Sequence, residues 1–168
     1  TVANPLPGIR KALVIAGSDR RGAAYGLFTL SELIGVSPWY WWADVPVKKH
    51  AALHVDAPPT YSQTPSVRYR GIFLNDEDWG LTPWASQTFE PERGNIGPRT
   101  YAKVCELLLR LKANYLAPAM HPVSTSFNQI PENKLVADTF AIVMGSTHCE
   151  LMSTKRCAIS SVWRTKPI

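Results

Sequence analysis

The sequence predicts an α/β chain in two parts, and three observations carry the prediction. Beyond residue 66, short apolar runs alternate with amphipathic helical stretches in the order strand, helix, strand, helix, strand. That rhythm favours a parallel sheet. Each of those strands ends in polar groups: Asn75-Asp76-Glu77, then His121, then His148 with Glu150. Parallel α/β architectures bind ligands at this C-terminal edge. Between the two parts lies APPTYSQTPS (57–66), whose three prolines and small polar residues interrupt any regular pattern and mark a boundary.

In the first part, ALVIAG (12–17) reads as a short buried strand and GSDRR as the turn after it. RGAAYGLFTLSELIG (21–35) follows as a helix, because Ala23, Leu27, Leu30 and Ile34 recur at three and four and form one stripe. Gly22 and Gly26 lie four apart and allow close approach to a sheet, at some cost in helix propensity. Gly35 stops the helix. WYWWADVPV (39–47) is aromatic and reads as extended, and AALHVD (51–56) alternates weakly, as a further strand would.

In the second part, VRYRGIFLN (67–75) is a strand, and its GIFL core suits one covered on both faces. ASQTFEPERGNIGP (85–98) reads as a long loop. A helix is expected over 100–113, where Val104, Leu107, Leu108 and Leu111 share a face, then a strand over NYLAPAM (114–120). PENKLVADTF (131–140) suits a short helix with Pro131 in its first turn, and AIVMG (141–145) is a third buried strand.

Composition removes several function classes. Hydrophobic residues make up 45% and charged residues 18%, so the chain is globular rather than disordered. No apolar run approaches the roughly 20 residues that span a bilayer, so no membrane partner is expected. The formal charge is +5, yet the basic residues are scattered, whereas nucleic-acid binding favours a clustered stripe. No nucleic-acid partner is expected. Three widely spaced cysteines fit neither a disulfide scaffold nor a structural zinc site, and Cys105 reads as a small core residue. No signal peptide is visible, and the first residue is Thr1, which fits an internal piece of something longer. Nothing in the sequence speaks to oligomeric state.

SPWYWWADVPVKK, YRGIFLNDE, NYLAPAMHP and IVMGSTHCE closely resemble segments of glycoside hydrolase family 115, the xylan α-1,2-glucuronidases. AGSDRRGAAYGLFTLSELIG resembles the end of the non-catalytic α/β domain that precedes the barrel in that family. The resemblance covers residues 12–150 in order. It implies an α/β chain made of the end of that non-catalytic domain (1–58), a linker (59–66), and the first three βα units of an incomplete (β/α)8 barrel (67–150). Residues 151–168 form an atypical tail. Members of the family are inverting enzymes that remove glucuronic acid, or its 4-O-methyl ether, from xylan. The implied partner is therefore glucuronoxylan or its oligosaccharides. No organic cofactor and no metal are implied, and secretion follows from family habit and the polymeric substrate.

Two departures stand out. Leu151 occupies a position where the family pattern leads one to expect proline, and MSTKRCAISSVWRTKPI (152–168) resembles nothing in the family. A truncation, frameshift or unspliced segment near Leu151 would account for both. Because later barrel strands carry further carboxylates of the family, the isolated chain is expected to be inactive. A non-catalytic remnant is the alternative.

The resemblance implies Asp76, Glu77 and Glu150 as catalytic carboxylates and His148, His121, Trp39 and Trp42 as substrate contacts. An inverting glycosidase needs an acid and a base roughly 6.5–9.5 Å apart. Asp76 and Glu77 are adjacent, so on a strand they point to opposite faces and do not form that pair by themselves. Residues by themselves leave a charged turn as the alternative, and Asp78 stays with that reading. His148 and Glu150 share a parity, so on one strand they project to one side. His121 is equally well a structural histidine. The Trp39–Trp42 cluster, like Trp79 and Trp84, offers flat faces to a sugar, with packing at a domain junction as the alternative. Arg68 and Arg70 suit a uronate carboxylate by fork geometry but precede the strand end, which favours a structural role. VIAGSDRRGAAYG has the outline of a phosphate loop, yet lacks GxGxxG and GxxxxGK[ST]. A nucleotide-binding module is the less favoured rival.

Overall fold

A computed structural model describes residues 2–56, 58, 60–75 and 79–146, and the chain divides into two compact units. The first comprises residues 1–68 with Leu109–Lys112; the second comprises Tyr69–Leu108 with Ala113–Ile168.

The first unit opens with a hairpin. Strands β1 (Val2–Leu6) and β2 (Ile9–Ala12) pair antiparallel, and Gly8 takes a φ of 81 in the turn, which suits a residue with no Cβ. This departs from the expected buried strand at 12–17. Only Ala12 is in a strand, and Leu13 and Val14 are 44% and 55% exposed. An apolar run becomes a strand only when a neighbour takes its hydrogen bonds. Among the described residues no strand pairs with 13–17.

Helix α1 (Arg20–Leu33) starts where Asp19 caps it, with Gly22 N donating to Asp19 Oδ1 at 2.7 Å. It ends at Gly35, whose φ of 92 lets its N–H turn back to the Glu32 carbonyl at 2.9 Å. The close approach expected of Gly26 is present: a Cβ there would overlap the Ile15 side chain. The stripe is less covered than its spacing implies, since Ala23, Leu30 and Ile34 are half-buried but Leu27 is 58% exposed. WYWWADVPV is not extended over its first five residues. Residues 38–43 form turns, with Tyr40 N bonded to the Ser37 carbonyl and Ala43 N to the Trp39 carbonyl. Residues 51–56 form no strand, again for want of a pairing neighbour.

The second unit carries a three-stranded parallel sheet in the order β3-β4-β5: β3 (Gly71–Phe73), β4 (Tyr115–Ala117) and β5 (Val143–Met144). The expected βα rhythm is therefore present, with shorter strands. Among the described residues β3 pairs with β4 alone, so it is not covered on both faces as expected: Ile72 and Phe73 are 40% and 46% exposed, and Val67 and Tyr69 58% and 50%. The sheet is entered through Asn114, whose Oδ1 accepts from Arg70 N at 2.9 Å and whose N donates to the Arg70 carbonyl at 2.8 Å.

The stretch 85–98 is not simply a loop. Helix α2 (Leu81–Trp84) runs into a π-helical turn at Ala85–Phe89, and only then does the chain turn. Helix α3 (Pro98–Arg110) buries Val104, Leu107 and Leu108, while Leu111 lies past its end and is 42% exposed. A 3-10 turn (Phe127–Gln129), closed by a capping box from Ser126 to Gln129, leads to helix α4 (Pro131–Thr139). Leu108, Leu116, Phe127, Ile130, Ala137 and Ile142 make the core between these elements. Burying each large apolar side chain is worth about 1.5–3 kcal/mol. Cys105 sits in this core at 1% exposure, and burial pushes its thiol up to about 12. Among the described residues no helix is long and apolar enough to cross a membrane.

Candidate active site

Parallel pairing brings the C-terminal ends of β3, β4 and β5 to one edge of the sheet. Asn75 follows β3, His121 follows β4 and Ser146 follows β5. Four expected site residues, Asp76, Glu77, His148 and Glu150, lie outside the described residues. His121 is half-buried, and its carbonyl accepts from Ser124 N at 2.9 Å, so it begins a tight turn. Trp39 and Trp42 belong to the first unit, Trp39 45% exposed and Trp42 half-buried.

Two polar side chains that sequence reading overlooked organise the loop between β3 and α3. Glu90 is 1% exposed. Its carboxylate accepts from Gly97 N (3.0 Å), Arg99 N (3.0 Å), Thr100 N (2.9 Å) and Thr100 Oγ1. These are the orphan donors at the start of α3, where Gly97 has no side chain with which to cap them. A carboxylate at that helix end also meets the positive pole of the helix dipole. The available signal was a helix opening at Gly97-Pro98 with no capping side chain and an acid a few residues upstream.

Asn95 is the second. Its Oδ1 accepts from Ile96 N (2.8 Å) and Thr125 N (3.0 Å), and its Nδ2 donates to the Val123 carbonyl (3.1 Å). Thr82 and Ser124 add a hydroxyl–hydroxyl bond of 3.3 Å. The loop after β3 is thereby tied to the His121–Thr125 turn after β4.

The aromatic residues of this loop divide in two. Trp84 stacks on Phe89 with centroids 4.8 Å apart, and the Arg99 guanidinium lies 4.8 Å from the Phe89 ring. Trp84 therefore packs. Trp79 is 83% exposed. Arg99 Nη1 also donates to Glu92 Oε1 at 3.0 Å, and a backbone hydrogen bond followed by this contact holds Glu92 below the usual carboxylate range. Arg70 immediately precedes β3, on the opposite edge from His121. That position suits the structural role expected for it.

No group of three His, Cys, Asp or Glu that could hold a metal occurs among the described residues. The phosphate-loop rival meets a direct obstacle. At the start of α1 the Asp19 carboxylate already accepts the Gly22 N–H, so negative charge stands where a phosphate would have to sit.

Comparison with known proteins agrees with this architecture. The model of glycosyl hydrolase family 115 matches residues 62–166. Among solved structures, a family GH115 4-O-methyl-alpha-glucuronidase, BtGH115A, described as having specificity for decorated arabinogalactans, is 50% identical with a TM-score of 0.74. The match covers 82% of this chain and 18% of that one. No curated protein matches. With the family model spanning more than half of its residues and half of its aligned positions identical to a solved member, the chain belongs to glycosyl hydrolase family 115.

Proposed function

We propose that this chain contributes one wall of the active site of an inverting α-glucuronidase that removes glucuronic acid or its 4-O-methyl ether from a plant polysaccharide. The observation that carries the reading is the parallel edge β3-β4-β5, where strand ends and tied loops converge in a member of this family. Residues 1–58 then end a preceding non-catalytic α/β domain, and 67–150 begin a (β/α)8 barrel. The substrate favoured by the sequence is glucuronoxylan. The specificity of the solved relative for decorated arabinogalactans supports a second polysaccharide class. A secreted enzyme fits either polymer.

In this reading, Asp76 or Glu77 faces a carboxylate from another element across the scissile bond, one as general acid and the other activating water. Glu150 and His148 line the cleft with His121, and Trp39 and Trp42 contact sugar. Hydrolysis requires both carboxylates, so the chain acts as part of a longer enzyme. The test is proton NMR of the full-length enzyme containing this chain, acting on methylglucuronoxylan and on decorated arabinogalactan. The β-anomer of the uronic acid should appear first. Release of the α-anomer first, or no release from either polymer, sinks the proposal.

A further inference from the structure

We infer that Asn95 is a positioning residue of this site, the clasp that sets the His121 turn against the loop leaving β3. The inference rests on the functional reading above and goes beyond it by naming a side chain that is not among the expected site residues.

In sequence Asp76 and Glu77 follow β3 and Asn95 precedes α3, and His121 opens the turn after β4. A long loop beside a turn on the neighbouring parallel strand is free to shift relative to it unless something bridges them. Three bonds do so here. Asn95 Nδ2 donates to the Val123 carbonyl, Asn95 Oδ1 accepts from Thr125 N, and Thr82 shares a hydroxyl bond with Ser124. Val123, Ser124 and Thr125 are consecutive, so the turn that His121 begins is gripped along its length. The grip is made from two separate points of the first loop, since Thr82 lies in α2 and Asn95 just before α3.

The amide of asparagine suits this task. One planar group supplies a donor and an acceptor at fixed separation, so it bonds a carbonyl and an N–H that flank the same residue. Asn95 Oδ1 additionally takes Ile96 N, which holds the amide plane still. Ser124 is 2% exposed and the three bonds are partly buried, so competition from water is reduced. Groups positioned this way matter because a displacement of about 1 Å at a reacting pair can cost roughly a hundredfold in rate.

The experiment uses the full-length enzyme that contains this chain, with Asn95→Ala and Asn95→Asp variants. Three readouts are taken: amide hydrogen exchange at Thr125, kcat and KM on a methylglucuronoxylan oligosaccharide well below the melting midpoint, and the midpoint itself. For Asn95→Ala, Thr125 should lose protection and kcat should fall by about 10- to 100-fold, with KM moving less than about threefold. The midpoint should fall by no more than about 5 °C. Asn95→Asp keeps both acceptor bonds but sets a carboxylate oxygen against the Val123 carbonyl in place of the donor, so its kcat should also fall while Thr125 N keeps its acceptor; it also decides the matter should the alanine variant fail to fold. Unchanged kcat, or a loss that tracks the unfolded fraction alone, overturns the inference while leaving the functional reading intact. A wild-type enzyme inactive on both polymers overturns the functional reading and the positioning role with it, even where Thr125 exchange shows the clasp.

Discussion

Helices α1 and α3 are nearly equal in length, 14 and 13 residues, and both read as amphipathic, yet they end in different circumstances. No residue of α1 is buried, and Leu27 and Leu33 are 58% and 63% exposed. In α3, Tyr101 and Leu108 are 0% and 1% exposed. The difference lies in what stands beside each helix. In the second unit, β3, β4 and β5 satisfy one another's backbone groups and present a face on which a helix can bury a stripe. In the first unit, the run at 13–17 that should have formed such a layer pairs with nothing among the described residues. A hydrophobic period therefore specifies a helix, but only a paired layer turns it into a core.

The contrast can be broken most severely at Glu90. Replacing it with alanine leaves three backbone N–H groups at the start of α3 without this acceptor, two of them buried, and the cost should be on the order of 3 kcal/mol or more. A urea melt followed by circular dichroism would read this as a large loss of midpoint, or as failure to fold. A midpoint within error of wild type would show that Glu90 is not the anchor.

The same melt sharpens the comparison directly. Leu108→Ala empties a site that is 1% exposed and should cost about 2–5 kcal/mol. Leu27→Ala, at 58% exposure, should change stability by no more than about 0.5 kcal/mol. Equal effects would mean that both helices bury their stripes alike. Between these two lies the cap of α1: Asp19→Ala removes the acceptor for Gly22 N and should cost about 1 kcal/mol, read as reduced helicity at low temperature.

Cys105 tests the core of the second unit chemically. Its thiol is raised from an ordinary 9.0 to about 12 because the thiolate cannot be solvated there. With Cys149 and Cys157 replaced by serine, the native protein should react with a thiol reagent at pH 8 only as fast as it unfolds. The linked pH effect has a definite sign. Below about pH 9 both states keep the proton and this group is neutral toward stability. As pH rises toward about 12 the unfolded chain loses the proton that the native state holds, so stability falls across that window. Rapid labelling of the native protein at pH 8 would contradict the buried placement.

Much of this was legible beforehand. The order of βα units, the helix at Pro131, the buried role of Cys105 and the family itself all follow from local spacing and residue motifs. The π-helical turn at Ala85–Phe89 was not, because the Trp84–Phe89 ring stack that accompanies it is a contact no hydrophobic period reveals. Glu90 and Asn95 escaped for a related reason. EPERGNIGP reads as a polar loop, and polar residues in loops ordinarily face water.

The sequence by itself determined which stretches prefer helix or strand and to which family the chain belongs, since these depend on neighbours along the chain. The tertiary structure decided which apolar runs became paired strands, which helix obtained a core, and which loop carboxylate and amide became anchors. Those outcomes depend on partners distant in sequence: a strand exists only with its neighbour, and a polar side chain becomes structural only where folding removes water and supplies donors in its place.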